Sequence, residues 1–216
     1  MKRILVATTL LTTIFTANAQ AKLELATIRD IVKNEKDYYH DIVDIYKSDD
    51  PYLRTDDIAL VYYGEAFKEN DKESENDNKL LKKYYHEGNF NELYTVATKI
   101  LAHKPANLNA LFYAWAAAKE NGKNEEETLS YVNKFNRIIQ MITEYGNGKN
   151  SKSPFRIVHP DDQLFVMAAL GIEESISNKF DTETLCNIHI IRPTEKFKSS
   201  IVYFDLSLFL KQKSKE

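Results

Sequence analysis

Cysteine is nearly absent from this sequence of 216 residues, which contains Cys186 alone. A single cysteine cannot form an intramolecular disulfide, even in an oxidising compartment. Its apolar neighbours Leu185 and Ile188 predict a buried thiol on a strand, and a reactive nucleophile is the alternative. On such a strand Cys186 and His189 point to opposite faces, so they cannot form a catalytic dyad without a β-bulge.

The sequence also lacks an excess of positive charge. Its 29 Lys and Arg residues stand against 32 Asp and Glu, which gives a formal net charge of −3. If Lys2 and Arg3 are removed with a leader peptide, 27 basic residues remain and the net charge becomes −5. This balance argues against a surface for nucleic acid or for an anionic membrane. We predict no nucleic-acid partner and no cofactor.

No hydrophobic run in the sequence is long enough to span a bilayer comfortably. The apolar stretch Ile4–Phe15 follows the basic Lys2 and Arg3 and precedes Ala17-Asn18-Ala19, and these are the three parts of a secretory signal peptide. We therefore predict a signal peptide over residues 1–19, cleavage near Ala19, and a secreted or periplasmic mature chain without a membrane span. No cysteine that could accept a lipid follows directly, and an uncleaved anchor helix is the alternative.

Two helical patterns between Asn89 and Gly122 form the centre of the predicted fold. Apolar residues recur at helical spacing in both, at Leu93, Val96, Ala97, Ile100 and Leu101 and at Leu108, Leu111, Phe112, Trp115 and Ala116. Pro105 ends the first helix because it lacks an N–H, and Asn107 can cap the second. The pattern predicts an antiparallel helical hairpin with Trp115 in its core.

Further helices are predicted on both sides of this hairpin. They lie at Leu25–Tyr46, which is two short helices or one broken helix, from Thr55 to Phe67, at Leu80–His86 and at Asn124–Tyr145. The last begins with a capping box of Asn124 and Glu127. Its buried stripe is predicted at Leu129, Val132, Phe135, Ile139 and Ile142. The charged segment Lys68–Lys79 predicts a solvated loop, and it lacks the glycine that a calcium-binding loop needs.

Gly88 and Gly122 are 34 residues apart, and each separates two helical patterns. A spacing of about 34 residues is the tetratricopeptide period. Pro105 also lies at a consensus position of that repeat, whereas Ala97 replaces the usual phenylalanine. We therefore expect a tetratricopeptide-like helical region over residues 20–149.

After Gly148 the pattern changes from helix to strand. Strands are predicted at Phe155–His159, Leu185–Ile191 and Ser200–Leu206, and Leu164–Leu170 is a short helix or a strand continued by one. A hairpin or a three-stranded antiparallel sheet with one face on the helices follows, because two strands alone are marginal in water. The predicted fold is α+β, with an N-terminal tetratricopeptide-like antiparallel helical array packed against a small C-terminal antiparallel β-sheet. Residues 150–216 are expected to share one core with the helices.

Several short motifs resemble a known family. They are Tyr38-Tyr39, the segment Leu60–Gly64, Lys104–Leu111, Ile142–Gly148 and Ile201–Asp205. Together they resemble the uncharacterised secreted Bacteroidetes proteins grouped as DUF4919, over nearly the whole mature chain. The sequence departs from the family pattern at Tyr145 and at His159–Asp162. The resemblance implies this organisation and an exported protein, and it transfers no catalytic residue.

Adjacent tyrosines supply the main candidates for a binding surface. The pairs are Tyr38-Tyr39, Tyr62-Tyr63 and Tyr84-Tyr85, and each falls on a different predicted helix. Neighbouring residues of a helix are about 100° apart, so one member of a pair can be buried while the other is exposed. Filling the seams between helices is the alternative role. The binding candidates are Tyr39, Tyr62, Tyr63, Tyr84 and Tyr85, together with His159 and Asp162 at a predicted strand exit.

Two classes of function remain open from the sequence. The favoured one is an exported, non-catalytic interaction protein that binds a peptide or protein segment through its helical face, with glycan binding by exposed tyrosines as a variant. The alternative is an enzyme of unknown chemistry that uses polar residues of the β region. No catalytic residue and no metal site is predicted. A tyrosine-lined groove would favour binding, whereas a pocket joining His159 and Asp162 with a perturbed carboxylate would favour catalysis.

Overall fold

The computed structural model describes residues 24–68 and 74–213, and the predicted signal peptide lies outside them. The helices in these two ranges are α1 Leu25–Asn34, α2 Lys36–Lys47, α3 Thr55–Gly64, α4 Ser74–Glu87, α5 Phe90–His103, α6 Leu108–Glu120, α7 Glu125–Tyr145, α8 Asp162–Ala169 and α9 Ser207–Lys213. The strands are β1 Phe155–Arg156, β2 Ser177–Asp181, β3 Cys186–Ile190 and β4 Ile201–Asp205. The predicted α+β class is confirmed.

The helices α1 and α2 pack against α3, whose sequence is mostly apolar. From Asp57 to Gly64 every residue of α3 is buried, so the helix is enclosed on all sides. The break between α1 and α2 falls at Glu35. Its N–H closes α1 on the Ile31 carbonyl at 2.8 Å, and its own carbonyl accepts the Tyr39 N–H of α2 at 3.0 Å. The two-helix alternative for this part of the chain is confirmed.

The hairpin of α5 and α6 forms as predicted. Asn107 Oδ1 caps α6 by accepting the Ala110 N–H at 2.9 Å. A compact apolar cluster joins α5 and α6 to α4, and its alanines allow the helices to approach closely. Its members are Leu81 of α4 together with Leu93, Ala97, Ile100, Ala110, Ala114 and Ala117. Asn124 caps α7 in the same way, but the Glu127 side chain accepts the Tyr94 hydroxyl instead of completing a capping box.

The prediction of a solvated loop is wrong for residues 74–79, because α4 already begins at Ser74. The Asp77 carboxylate lies 3.5 Å from Lys99 Nζ on α5, and its side chain is only 13% exposed. This contact holds the first turns of α4 against the hairpin. Tertiary contacts therefore extend a helix whose local sequence has no apolar periodicity.

Several large apolar residues are less buried than predicted, among them Leu129 of α7 and Trp115 of α6. Leu129, at the start of the expected α7 stripe, is 47% exposed, while Ile139 and Ile142 are buried as expected. Trp115 of α6 is half-buried, so its assignment to the helical core is corrected. The alanines of α6 occupy the closest helix contacts, which leaves the Trp115 ring at the margin, 5.9 Å from the Phe112 ring centroid.

The sheet has the order β1-β4-β3-β2, with β3 antiparallel to both β4 and β2. β1 pairs with β4 in parallel, so the predicted antiparallel sheet is corrected to a mixed one. The strand predicted to reach His159 ends at Arg156, because the Val158 N–H donates to the Tyr62 hydroxyl instead of to a neighbouring strand. The polar strand β2 was not predicted, and the segment after Asp161 takes the helical alternative as α8.

One large hydrophobic cluster joins the helices to the sheet. It includes Tyr62 of α3, Met141 of α7, Val166 of α8 and the β4 residues Val202 and Phe204. All five are at most 2% exposed, so the sheet face lies directly against the helices. None of the helices in the described ranges combines the length and apolarity that crossing a membrane would require.

Candidate functional site

Three of the tyrosine candidates, Tyr39, Tyr62 and Tyr63, lie in the core and are at most 2% exposed. Tyr38 is 43% exposed, so the predicted division between a buried and an exposed member is confirmed for the first pair. Both members of the second pair are buried because α3 is enclosed. Their rings meet edge to face at 5.0 Å, and the Tyr63 hydroxyl donates to the Arg156 carbonyl at 3.3 Å.

Tyr62 and Asp162 form a buried polar hub between α3 and α8. The Tyr62 hydroxyl donates to Asp162 Oδ2 at 2.7 Å and accepts the Val158 N–H at 3.1 Å. Asp162 Oδ2 also accepts the His159 N–H at 3.0 Å. Burial raises the pKa of the Asp162 carboxyl to about 7, although these hydrogen bonds act in the opposite direction. The hub therefore fixes the loop before α8 to the centre of the helical region.

His159 contacts Asp162 through its main chain and not through its ring. The ring accepts the Asp161 N–H at Nδ1 at 3.3 Å and packs edge to face on Phe209 with a centroid distance of 5.8 Å. Burial lowers the pKa of His159, while the nearby Asp161 raises it. The two sequence candidates are thus neighbours, but their side chains do not form an imidazole–carboxylate hydrogen bond in this geometry.

Glu65 is a buried acid that the sequence analysis missed. Its Oε1 accepts the Ala106 N–H at 2.9 Å, which ties the end of α3 to the turn before α6. Burial raises the pKa of Glu65 to about 7. The hydroxyls of Tyr39 and Tyr46 are buried nearby and have no hydrogen-bond partner within the described residues. The only sign of this buried polar group in the sequence is a single acid, Glu65, directly after the apolar run of α3.

A second polar network surrounds His189 on β3. Its Nε2 lies 2.8 Å from Gln163 Oε1 on α8, and its Nδ1 lies 3.1 Å from Ser175 Oγ. The Ser175 hydroxyl donates to the Ser177 carbonyl at 2.8 Å. Asn187 Nδ2 also donates to Gln163 Oε1 at 2.8 Å. The network fastens β3 to α8.

Six aromatic side chains from four helices form a continuous surface, which we call the aromatic surface. They are Tyr85 of α4, Phe112, Tyr113 and Trp115 of α6, Phe135 of α7 and Phe165 of α8. The Tyr85 ring centroid lies 5.3 Å from that of Tyr113, and Phe112 lies 5.5 Å from Phe165. Phe165 in turn meets Phe135 at 5.2 Å. The ring contacts therefore run without interruption from α4 through α6 and α8 to α7.

The aromatic surface is accessible from outside. Tyr85 is 41% exposed, and the other five rings are half-buried. Leu164, next to Phe165 in sequence, is 65% exposed. At the edge, Lys82 Nζ and Asp161 Oδ2 form an ion pair of 2.7 Å, and both charges act on the nearby Tyr113 hydroxyl, whose pKa is raised by burial. Tyr84 is half-buried under Lys83, whose Nζ is 5.8 Å from its ring centroid.

The hub, the His189 network and the aromatic surface lie within one region of family similarity. A family model described as "Domain of unknown function (DUF4919)" matches residues 26–215. The chain belongs to the DUF4919 family. Searches among curated proteins and among solved structures found no match. All three sites therefore belong to the DUF4919 domain itself.

Sequence reasoning found only Tyr85 of the aromatic surface of this DUF4919 protein. Phe112 and Trp115 were assigned to the core by their helical spacing. Periodicity shows which face of a helix is apolar, but it does not show how much of that face the neighbouring helices cover. Phe165 joins the surface only through the fold. No group of three or more His, Cys, Asp or Glu side chains is placed to hold a metal ion anywhere in residues 24–68 and 74–213.

Proposed function

We propose that this DUF4919 protein is an exported, non-catalytic interaction protein that binds a peptide or protein segment of a partner through the aromatic surface. The observation that carries this proposal is the unbroken series of ring contacts across four helices at accessible positions. Tyr, Trp and Phe are enriched where proteins bind one another, because they bury a large area while few rotatable bonds are fixed.

Contacts between the rings support binding by holding each side chain in place beforehand. Phe112 is central, with ring centroids of Tyr113, Trp115 and Phe165 at 5.3, 5.9 and 5.5 Å. A side chain that is already fixed loses little conformational entropy when a partner covers it. The surface therefore resembles the rigid aromatic centre of a protein interface, in which a few anchors supply most of the binding free energy.

Charged side chains border the aromatic surface and would orient the partner. Lys119 Nζ lies 5.8 Å from the Trp115 ring centroid, and the Lys82 ion pair lies beside Tyr113. Charges at the edge of an interface affect association rate and orientation more than affinity. A partner segment with apolar anchors and a carboxylate next to them would suit this arrangement.

Export and a repeat architecture belong to the same proposal. Gly88 and Gly122 both have positive φ, at 71° and 64°, and end α4 and α6 with the 34-residue spacing of a tetratricopeptide-like array. Export rests on the signal peptide predicted over residues 1–19. The protein purified from its host should have an intact mass that corresponds to a start near Gln20, and retention of residues 1–19 would contradict cleavage of the signal peptide.

Site-specific cross-linking tests the proposed binding surface directly. A photo-reactive residue at Leu164 beside the aromatic surface is compared with one at Tyr52, which is 89% exposed in the turn between α2 and α3. We expect a discrete cross-linked partner from position 164 and not from position 52. The partner is then purified, and its affinity for the wild type, for Tyr85→Ala with Trp115→Ala, and for Tyr52→Ala is measured by calorimetry.

The double variant should weaken binding at least about tenfold, the effect of losing interface anchors, while Tyr52→Ala binds as the wild type does. Equal cross-linking from both positions, or equal affinity of the double variant and the wild type, would overturn the proposal. A partner whose binding is unaffected by the aromatic substitutions but lost in variants of the His189 network would move the site to the β region.

A further inference from the structure

The β2 strand forms one edge of the sheet, and its outer side has no neighbouring strand among residues 24–68 and 74–213. Ser177 to Lys179 and Phe180 are all exposed, and Phe180 itself is 44% exposed. Ile176 and Ile190 beside it are 59% and 46% exposed. An edge with unpaired main-chain groups and apolar side chains is suited to pairing with another strand.

We propose that two copies of this chain associate through their β2 strands, which pair antiparallel around a two-fold axis at Phe180 and join the two sheets into one. The second copy is the occupant because the strand is complementary to itself. This inference does not depend on the proposed function, since β2 contributes no residue to the aromatic surface.

Geometry limits the possible registers of such a pair. Two equal edges that pair antiparallel are related by an axis perpendicular to the sheet, and directly opposite residues then share a face. Because side chains alternate between faces along a strand, one residue of β2 has to lie directly opposite its own copy, and the axis lies midway between these two copies. Within β2, the residues that can lie at the axis and keep most of the strand paired are Asn178, Lys179 and Phe180.

Charge selects among these three registers. With the axis at Lys179, the two Lys179 side chains face each other, which is destabilising. With the axis at Asn178, Lys179 faces Ser177 of the second copy and gains no ion pair. With the axis at Phe180, Lys179 faces Asp181 of the second copy, twice by symmetry, and the two Phe180 rings form a central aromatic pair. Of the three registers, only this last one places opposite charges across the two β2 strands, in addition to the hydrogen bonds that Asp181 accepts from the Glu183 N–H and the Thr184 hydroxyl in its own turn.

A charge exchange between two variants tests the register. In Lys179→Glu, two acidic side chains face each other in the dimer, and in Asp181→Lys, two basic ones do, so each variant alone should dimerise at least about tenfold more weakly than the wild type. A mixture of the two variants restores both ion pairs and should form a heterodimer. Lys198→Glu, which changes an exposed lysine outside β2, is the control and should dimerise like the wild type.

A cross-link provides the second measurement. The Cα atoms of directly opposite hydrogen-bonded residues are about 5.5 Å apart, within the range of a disulfide. Phe180→Cys should therefore form a covalent dimer under mild oxidation, while Tyr52→Cys should not. The native Cys186 is only 1% exposed and does not interfere. A wild type that sediments as a monomer throughout the micromolar range, or a variant mixture that forms no heterodimer, would overturn the proposal.

Discussion

The Tyr62 hydroxyl donates a 2.7 Å hydrogen bond to Asp162 Oδ2 and thereby connects two elements that lie 100 residues apart in the sequence. Both side chains are 2% exposed. A buried carboxyl is costly unless donors surround it, and here the donors come from α3 and from the loop before α8. Helical and sheet-containing parts of the chain thus share a polar contact as well as an apolar core.

Replacing Tyr62 by Phe removes the hydroxyl from both of its hydrogen bonds. The Val158 N–H then lacks its acceptor, and Asp162 loses a donor, so Tyr62→Phe should lower the free energy of unfolding by about 1–3 kcal/mol, the cost of unpaired buried polar groups. Tyr52→Phe is the matched control on an exposed ring and should stay within about 0.5 kcal/mol. Urea unfolding of each variant measures the difference. Equal midpoints for all three proteins would contradict a stabilising hub.

The raised pKa of Asp162 predicts a pH-dependent stability. Its folded-state pKa is about 7, against an ordinary value near 4, so between these pH values the folded chain holds a proton that the unfolded chain has lost. Stability contributed by this group is therefore present below pH of about 4 and lost as pH rises to about 7. Glu65, with a pKa also raised by burial to about 7, acts in the same direction.

Asp162→Asn should reduce this pH dependence, because an amide does not titrate. Relative to the wild type, the variant should lose more stability at pH 5 than at pH 8, as measured by denaturant unfolding at the two pH values. Asp41→Asn, at an exposed position of α2, should leave the wild-type pH profile unchanged. Parallel profiles for wild type and Asp162→Asn would show that the carboxyl titrates normally.

Because Trp115 is half-buried, its replacement by alanine should affect stability less than the replacement of a core aromatic residue does. Trp115→Ala should cost clearly less than the roughly 3–5 kcal/mol that truncation of a fully buried aromatic residue costs. Phe155→Ala, at a side chain that is 2% exposed, should show that full cost and serves as the comparison. Thermal and urea unfolding of both variants give the values. If Trp115→Ala destabilises as much as Phe155→Ala does, Trp115 is a core residue after all.

Gly148 and Gly88 form a matched pair for a test of close packing. Both have positive φ, at 65° and 71°, so alanine is strained at either position. A Cβ on Gly148 would lie 2.2 Å from Phe155 Cε2, whereas a Cβ on Gly88 would meet nothing within 4 Å. Gly88→Ala should cost about 1–2 kcal/mol from the backbone alone, and Gly148→Ala should cost more by the clash. Equal losses in urea unfolding would show that Phe155 moves aside freely.

The large cluster shared by helices and sheet predicts cooperative unfolding. Met141 of α7 and Phe204 of β4 belong to it together, so neither part buries its apolar face alone. The mature chain should unfold in one transition that is the same by fluorescence and circular dichroism, and residues 150–216 expressed alone should fail to fold. A folded C-terminal fragment with dispersed amide resonances would instead establish two independent domains.

Helices and strands with a clear local sequence signal could be predicted from the sequence. The caps at Asn107 and Asn124 mark the starts of α6 and α7, and the β-branched runs of β3 and β4 gave both strands. The strand β2 has the polar sequence SNKFD and lies at an edge, so neither alternation nor apolar content revealed it. Its pairing with β3 comes from the turn that joins them.

The aromatic surface could not be predicted for a different reason. Its rings lie on four different helices, and Phe165 and Phe112 come together only because α8 packs beside α6. The same holds for Glu65, whose burial depends on the chain around Ala106. Local patterns specify elements, while a site built from several elements depends on contacts between residues that are distant in sequence.

The parallel pairing of β1 and β4 has a consequence for the order of folding. Phe155 and Phe204 become neighbours only after the intervening chain closes a long loop, whereas β2 and β3 are joined by a short turn. Hairpins form within microseconds, about 1–10 μs, and long-range pairings are slower because loop closure has to precede them. We expect the β2–β3 hairpin to form early and the β1–β4 contact to form late. Substitutions at Phe155 should therefore mainly accelerate unfolding and leave the rate of refolding nearly unchanged.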